Sequence, residues 1–374
     1  MHIVILHNRD HDLLEDDPGR EAREDVMRVA SALSEALTRG DTQAEPLAIE
    51  GDGLDFVDTL RRVQPDLVIN LCESLAADSR GEMVIPCMLD LLGIPYTGSS
   101  ALSLGLALHK NKAKELLRAR GVSTPPFAVV ERLEDVMAVD LTYPLIVKPA
   151  REDASVGIDF DSVVHDRVGL ARVAEEVLRT FQQPALVEQF IAGREIYVPL
   201  LGNAPRRALP LTEIRFGKAF ENRPHIVSYK AKWEAESAEC QDSPSVPCTL
   251  EDAALEARLV RTATEAFTAL DCLDYGRVDL RVSPEGVPYV IDINPNCDLH
   301  PNAGFAKAAA AAGMDYPALA ARLVEIALER THGNPSARKK GPGAARGAHP
   351  TNRNLLAGRG PVRHRAGGSR AHAE

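Results

Sequence analysis

The most informative stretch of this 374-residue chain is YGRVDLRVSPEGVPYVIDINPN, residues 275–296. Residues 277–282 and 287–293 are rich in Val, Ile, Leu and Tyr, and the Ser-Pro-Glu-Gly between them is typical of a turn. The sequence therefore predicts a β-hairpin. Both of its strands carry an acid, Asp279 in the first and Asp292 in the second.

Paired strands lie about 5 Å apart, so we expect the carboxylates of Asp279 and Asp292 and the amide oxygen of Asn294 to converge. Carboxylates together with substrate phosphates are the usual ligands of Mg²⁺ in proteins. The stretch thus predicts a magnesium site. Alternation alone also permits the opposite arrangement, in which both acids lie on the solvated face of an edge strand.

Length and composition predict a globular protein with two or three domains, because 45% of the residues are hydrophobic and can fill a large core. Nothing at the start of the chain marks a signal peptide, and no apolar run is long enough to cross a membrane. The six cysteines lack paired metal-binding spacings. We therefore expect reduced thiols, a cytoplasmic location and no structural zinc.

Charge is unevenly distributed along the chain. From residue 331 onward nine Lys or Arg residues stand against Glu374, so this tail carries +8 and the rest of the chain −19, for a total of −11. An acidic body argues against nucleic acid as its substrate, whereas nucleotides with magnesium stay compatible with it. The tail is rich in Gly, Ala, Pro and Arg, and it is predicted to be disordered. It serves either as a solvated appendage or, through its charge, as a contact for nucleic acid or an acidic partner.

The first 105 residues alternate strands with helices, which predicts a parallel sheet covered by helices. Asn70 and Glu73 follow one of these strands, at the edge where open α/β sheets bind ligands. The charged loop over residues 7–20 is either a solvated turn or a lip of the substrate site. Residues 106–120 are predicted to form one helix.

Two later features are candidates for contacting phosphates. A strand ends at Lys148 and is followed by the small-residue loop REDASVG, which is either a phosphate-binding flap or a plain turn. Strands over 185–190 and 195–201 meet at a hairpin or tight bend, which places Glu188 near Glu195. Residues 214–233 are predicted to be an ordered loop or lid.

These features stand in one order along the chain, and together they resemble the ATP-grasp superfamily, most closely its D-alanine–D-alanine ligase branch. The resemblance covers residues 1–330 and rests on a set of motifs: LGIPYTGSSALSLGLALHKNKAK, IVKPAREDASVG, LVEQFIAGREIYV, YKAKW, and GRVDL followed by DINPN. It implies a three-part α/β architecture. The parts are an N-terminal α/β domain, a central ATP-grasp lobe and a C-terminal lobe with the metal site, at residues 1–105, 106–184 and 185–330, and the basic tail follows at residues 331–374.

The resemblance also implies roles for individual residues around ATP. Lys110 and Lys148 match lysines that hold the nucleotide phosphates, and the flap residues Ser155, Val156 and Gly157 match the phosphate loop. Glu188 matches the acid beside adenine, and Glu195 the acid that accepts the ribose hydroxyls.

The remaining matches concern the chemical step. Lys232, on the mobile loop, matches a lysine that reaches the γ-phosphate, and Arg277 matches the arginine that stabilises the oxyanion. Three residues of the hairpin match the ligands of two Mg²⁺ ions, for which Mn²⁺ can substitute: Asp279, Asp292 and Asn294. The implied reaction activates a carboxylate as an acyl phosphate, which an amine then attacks.

The sequence departs from the family pattern at the substrate, which leaves open whether the substrate is D-alanine or another amino acid or small peptide. Ala154 stands where a flap serine is usual, Trp233 replaces a tyrosine, Asp292 replaces the commoner glutamate, and 295–300 replaces a glycine-rich segment. Trp233 is expected to make an apolar lid contact rather than a hydrogen bond to substrate. Asn70, Glu73 and His300 are further candidates for substrate contact.

Several alternatives stay open from the sequence. Arg277 can be an ion-pair partner of Asp279, Glu195 can cap a turn, and His300 can lie in a solvated loop. The protein is either a ligase or an ATP-binding protein without turnover. A site without turnover would be expected to lose Arg277 or a metal ligand first, and this sequence retains them. A homodimer is possible.

Overall fold

The structure is a computed structural model, and it describes residues 1–9, 20–50, 55–76 and 78–333. Most of the loop predicted over residues 7–20 and nearly all of the basic tail lie outside these described residues. The bounds of the elements given below therefore refer to the described parts of the chain.

The strands follow one another in this order: β1 His2–Asn8, β2 Gln43–Ile49, β3 Leu67–Asn70, β4 Phe127–Val130, β5 Leu145–Pro149, β6 Val163–Val164, β7 Ala185–Gln189, β8 Arg194–Leu201, β9 Arg207–Ala208, β10 Thr212–Ile214, β11 Ser245–Pro247, β12 Tyr275–Val282 and β13 Pro288–Asn294. The α-helices are α1 Arg20–Leu37, α2 Asp55–Val63, α3 Val84–Leu92, α4 Ala101–Leu108, α5 Lys110–Ala119, α6 Arg167–Phe181, α7 Tyr229–Trp233, α8 Ala238–Gln241, α9 Ala253–Ala269, α10 Gly304–Ala311 and α11 Tyr316–Gly333.

The first sheet has the order β2-β1-β3, and all its pairings are parallel, as the strand–helix alternation predicted. Its central strand is an apolar run whose residues 3–8 are all buried, as expected for a strand covered on both faces. Helix α11 returns from the end of the described chain to pack against α1. One apolar cluster therefore joins the first sheet to the last two helices.

Two mainly antiparallel sheets follow. The four-stranded sheet has the order β4-β7-β5-β6, and the six-stranded sheet has the order β11-β10-β8-β12-β13, with β9 paired to β8. Strand β7 belongs to the first of these sheets and β8 to the second, so the short turn between them is a bend from one sheet to the other and not a hairpin. The domain boundaries at residues 105, 184 and 330 stay predictions.

The single helix predicted over residues 106–120 is wrong, because two helices meet at His109. This residue has φ −83° and ψ 77°, which is not helical, and its ring Nδ1 lies 2.8 Å from the carbonyl oxygen of Gly105. Lys110 then begins α5, and its backbone N–H donates to the carbonyl of Ala150 at 3.0 Å. The loop predicted over 214–233 likewise contains the short helix α7.

The six cysteines are all free thiols, as the sequence predicted. Among the described residues, no helix combines the length and apolar character that crossing a bilayer requires.

Candidate active site

A cavity of about 500 Å³ collects most of the predicted site residues. Its wall includes thirteen of them: Glu73, Lys110, Lys148, Ser155, Val156, Glu188, Glu195, Lys232, Trp233, Arg277, Asp279, Asp292 and Asn294. The structure does not bring the other three to the cavity wall. Asn70 accepts from the N–H of Cys72, His300 accepts from the N–H of Asn302, and Gly157, at the end of the flap, packs against Pro149 and Phe181.

The acidic hairpin is confirmed, and its register explains how its polar groups converge. Asp279 lies directly opposite Asp292, and Arg277 lies opposite Asn294. The amide nitrogen of Asn294 donates to Asp279 Oδ2 at 3.3 Å. Because β12 lies between β8 and β13 and Asp279 is only 7% exposed, the alternative of a solvated edge does not hold for Asp279. Asp292 lies on the edge strand β13, and its partly exposed side chain borders the same cavity.

Arg277 makes a two-point ion pair with Asp279, through Nε at 2.6 Å and Nη2 at 2.7 Å. Its guanidinium also lies over the ring of Tyr197, 4.3 Å from the centroid. Burial opposes the charged form, yet the carboxylate of Asp279 raises the pKa of Arg277 above its usual range. The ion-pair role considered for Arg277 is therefore present, and the guanidinium still borders the cavity.

Lys110 lies between the hairpin and the flap, where the helix break at His109 places it. Its ammonium contacts Asp153 Oδ1 at 2.7 Å and the two carboxylate oxygens of Asp292 at 2.7 and 2.9 Å. Burial opposes its charge, yet these two carboxylates raise the pKa of Lys110 above its usual range. Asp153 was not predicted, because nothing local in the sequence shows which cation it faces.

Glu188 lies at the centre of a buried group of three charged side chains. The sequence predicted Glu188 and Lys148 as site residues, but not Lys114. Its carboxylate contacts Lys148 at 2.9 Å and also pairs with Lys114, which additionally donates to Thr124 Oγ1 at 2.6 Å. Burial works against ionisation, yet the two lysines hold the pKa of Glu188 below its usual range. Lys114 was missed, although it follows Lys110 by four residues and so shares its helix face.

Glu195 lies within strand β8, so the alternative that it caps a turn is wrong. Its two oxygens accept from the hydroxyl of Tyr197 at 2.9 Å and from Arg281 Nη1 at 3.0 Å. Arg281 was also missed. Its signal was the period of two along β12, since Arg277, Asp279 and Arg281 share one face of the strand.

Left-handed backbone marks the flap over residues 151–157. Ala154 and Ser155 have φ of 55° and 62°, and Gly157 has φ of 74°. Successive N–H groups in turns of this kind form concavities that bind anions. The lid helix α7 contacts this flap: Trp233 Nε1 donates to the carbonyl of Ala154 at 3.0 Å, and the N–H of Tyr229 donates to the carbonyl of Ile158 at 3.0 Å.

A buried carboxyl at the end of the cavity, Glu82, was also missed by sequence reasoning. It accepts from Asn296 Nδ2 at 3.1 Å, and the same amide group donates to the carbonyl of Cys72 at 3.0 Å. Burial, followed by the negative charge of Asp153, raises the pKa of Glu82 well above its usual range. Only the folded chain brings Glu82 and Asn296 together, since they are 214 residues apart.

The hairpin carries a donor set that suits Mg²⁺: two carboxylates that lie opposite each other in the register, and the amide oxygen of Asn294 two residues further along β13. Among the described residues no group of three or more His, Cys, Asp or Glu side chains is arranged to hold a metal. A cation here would therefore need ligands from a bound molecule as well, which agrees with the preference of Mg²⁺ for phosphate oxygens.

Comparison with known proteins places this cavity in a family. The family model described as "D-ala D-ala ligase C-terminus" matches residues 116–325. The protein y4sG of Sinorhizobium fredii is 36% identical over 316 residues, which are 82% of this chain and 89% of that protein. The D-alanine–D-alanine ligase of Syntrophotalea carbinolica is 32% identical over 303 residues, which are 81% of this chain and 91% of that protein.

The fold agrees with solved structures. The crystal structure of D-alanine–D-alanine ligase from Bacillus anthracis complexed with ATP superposes with a TM-score of 0.69 at 23% identity, covering 89% of this chain and 98% of that one. This likeness confirms the predicted α/β ATP-grasp architecture. Because the family model spans more than half of the chain and relatives above 30% identity align with four fifths of it, the chain belongs to the D-alanine–D-alanine ligase family of the ATP-grasp superfamily.

Proposed function

We propose that the protein is an ATP-dependent ligase that joins a carboxylate to an amine and releases ADP and phosphate. The observation that carries this proposal is that one cavity wall holds Lys110, Lys148, Arg277 and the acidic hairpin. Relatives named D-alanine–D-alanine ligases support the reaction class. A protein that only bound nucleotide would not need this combination of cations and acids at one site.

The lysine side chains of the site are positioned to bind phosphate groups and to neutralise their negative charge. In the proposed reaction, Lys110 and Lys148 hold phosphate oxygens, and the flap N–H groups complete their cradle. Asp279, Asp292 and Asn294 would hold up to two Mg²⁺ ions, which neutralise charge on the transferring phosphoryl group. Lys232 lies on the lid, from which it reaches the same cavity.

Arg277 acts in the second step of the proposed reaction, in which the amine attacks the acyl phosphate. The amine attacks the activated carbonyl, and negative charge grows on the carbonyl oxygen of the tetrahedral intermediate. The guanidinium at the cavity wall, already oriented by Asp279, stabilises that charge. Lid and flap exclude water, which would otherwise hydrolyse the acyl phosphate.

The substrate is proposed to be an amino acid or small peptide, and D-alanine is not the favoured one. Ala154 has no side-chain hydroxyl for a substrate, and its backbone carbonyl already accepts from Trp233. Glu73, which lines the cavity, stays a proposed contact for a substrate amine. We also keep the cytoplasmic location, which six free thiols support.

The test is phosphate release from ATP and Mg²⁺ by the purified protein, with D- and L-amino acids offered singly and in pairs and with products detected by mass. Stimulation by one pair, with the ligated product formed, would establish the ligase and name its substrates. Release without any product, or no release with any pair, would favour an ATP-binding protein without ligation.

Asp292→Asn is the matching variant, because it keeps the shape of the side chain and removes its charge. ADP formation should fall at least roughly 100-fold, the usual scale for losing one group that stabilises the transition state. Asp140→Asn, at an exposed site remote from the cavity wall, is the control and should leave turnover unchanged. Full activity in Asp292→Asn would contradict the metal assignment.

A further inference from the structure

All three N–H donors of the Lys110 ammonium are already used in contacts with carboxylates. A lysine carries three N–H groups, and Lys110 makes three contacts, one with Asp153 and two with Asp292. The side chain is only 6% exposed, so water does not offer it further partners. A phosphate oxygen can reach this ammonium only if one of the two carboxylates withdraws.

The two carboxylates are not held equally. Asp292 belongs to strand β13, and its Oδ1 also accepts the N–H of Ile293 at 3.1 Å. Asp153 belongs to the flap, its side chain is 41% exposed, and Lys110 is the one partner of its carboxylate among the described residues. Asp153 is therefore the less firmly held of the two carboxylates, and the one that a phosphate would displace more easily.

The surroundings then decide what kind of phosphate is accepted. Once displaced, Asp153 lies next to the incoming phosphates, with Asp292 on the other side of Lys110. A bare polyphosphate would meet both anions, whereas a polyphosphate that carries a divalent cation brings positive charge to each of them.

We propose that Asp153 is a specificity-determining residue: it holds the place of a nucleotide phosphate on Lys110 and makes the site prefer cation-complexed nucleotide over free nucleotide. This inference rests on the proposed function, since it takes Lys110 as a phosphate-binding residue.

The test measures the Kd of ADP by calorimetry on the full-length protein, once with EDTA and once with Mg²⁺. Asp153→Asn keeps the shape of the side chain and removes the charge that competes with phosphate. It should tighten the binding of metal-free ADP roughly tenfold, the scale of one charge-assisted hydrogen bond. Binding with Mg²⁺ should change by much less, so the preference for the complexed nucleotide should shrink.

Two further variants separate this role from general electrostatics. Asp161→Asn removes the same charge from a side chain that is 84% exposed, with Arg172 at 3.9 Å, and it should leave both dissociation constants near the wild-type values. Asp153→Glu keeps a carboxylate on the flap and should keep most of the preference for Mg²⁺-ADP.

The outcomes separate the two proposals. If the wild type binds nucleotide and Asp153→Asn behaves like Asp161→Asn, or weakens metal-free ADP, the role of Asp153 is overturned and the proposed function stands. If Asp153→Glu loses the preference as fully as Asp153→Asn, shape rather than charge is responsible and the inference is also overturned. If the wild type binds no nucleotide under either condition, both proposals fall together.

Discussion

Trp233 on the lid helix donates its indole N–H to the main-chain carbonyl of Ala154 on the flap, at 3.0 Å. The sequence predicted an apolar lid contact for this tryptophan and no hydrogen bond to substrate. The indole instead links the lid helix to the backbone of the flap, and both segments border the cavity. Lys232, the neighbouring residue, lies 5.2 Å from the same ring, so the lid lysine is positioned by this contact as well.

Trp233→Phe removes this donor and keeps an aromatic side chain. We expect a less firmly closed lid, and therefore a ratio of phosphate released to product ligated that rises by roughly two- to tenfold, since one hydrogen bond contributes about 1 kcal/mol. The measurement compares phosphate release with product mass in the same reaction. Lys230→Gln, an exposed change on the same helix, is the control. An unchanged ratio in Trp233→Phe would show that the contact does not exclude water.

Lys114→Met tests the buried triad through the pH dependence of stability. Burial lowers the pKa of Lys114 from 10.5 to about 8, so the folded protein releases this proton at lower pH than the unfolded chain. Between these values the unfolded state binds more protons, and stability gained from this group rises with pH. The difference in unfolding free energy between wild type and variant should therefore rise, by on the order of 3 kcal/mol across the window.

Urea unfolding of both proteins at several pH values from 7 to 10 provides the measurement. Comparing the two proteins at each pH cancels the other groups that titrate in this range. A difference that is flat below pH 8 and rises above it supports the lowered pKa. A difference that falls over the same range would contradict it.

Gly157→Ala tests the shape of the flap. Gly157 has φ +74°, and an added Cβ would lie 2.6 Å from Pro149 Cγ and 2.8 Å from Phe181 Cζ. The strain of the left-handed backbone and the clash should together lower the unfolding free energy by about 2 to 3 kcal/mol. Nucleotide affinity should also fall, because the flap can no longer hold its turn.

Gly121→Ala is the matched control for that variant. Gly121 has φ +73°, but no atom lies within 4 Å of the Cβ position. The same backbone strain without the clash should cost about 1 kcal/mol and leave nucleotide affinity unchanged. Equal losses in the two alanine variants would show that crowding behind the flap is unimportant.

The predictable part of this site was the part with a local pattern. The hairpin, its two acids and Asn294 followed from alternation and a turn, and the register confirmed that they meet. The site residues that were missed are those whose partners are remote in sequence. Arg281 pairs with Glu195 across 86 residues, and Glu82 meets Asn296 across 214. No local pattern encodes such pairs.

The helix break at His109 shows a second limit of sequence reasoning. Most of residues 106–120 are good helix formers, so propensity predicted a continuous helix. Tertiary contacts override it, because the N–H of Lys110 bonds to Ala150 and its ammonium to the flap and the hairpin. Because of the break, the side chain of Lys110 points into the cavity. In one continuous helix it would point there only if α4 or α5 lay in a different position.

Helix α11 packs against α1 and the first sheet. The first sheet is therefore synthesised early, but part of its apolar surface is covered only by a helix that is synthesised late. The apolar cluster of that sheet includes Ile3 and Ile5 at one end of the described chain and Leu323, Val324 and Ala327 near the other. A nascent chain on the ribosome therefore carries an incompletely covered first sheet through most of translation. That sheet is closed off from water only when the last described helix has emerged and folded back onto it.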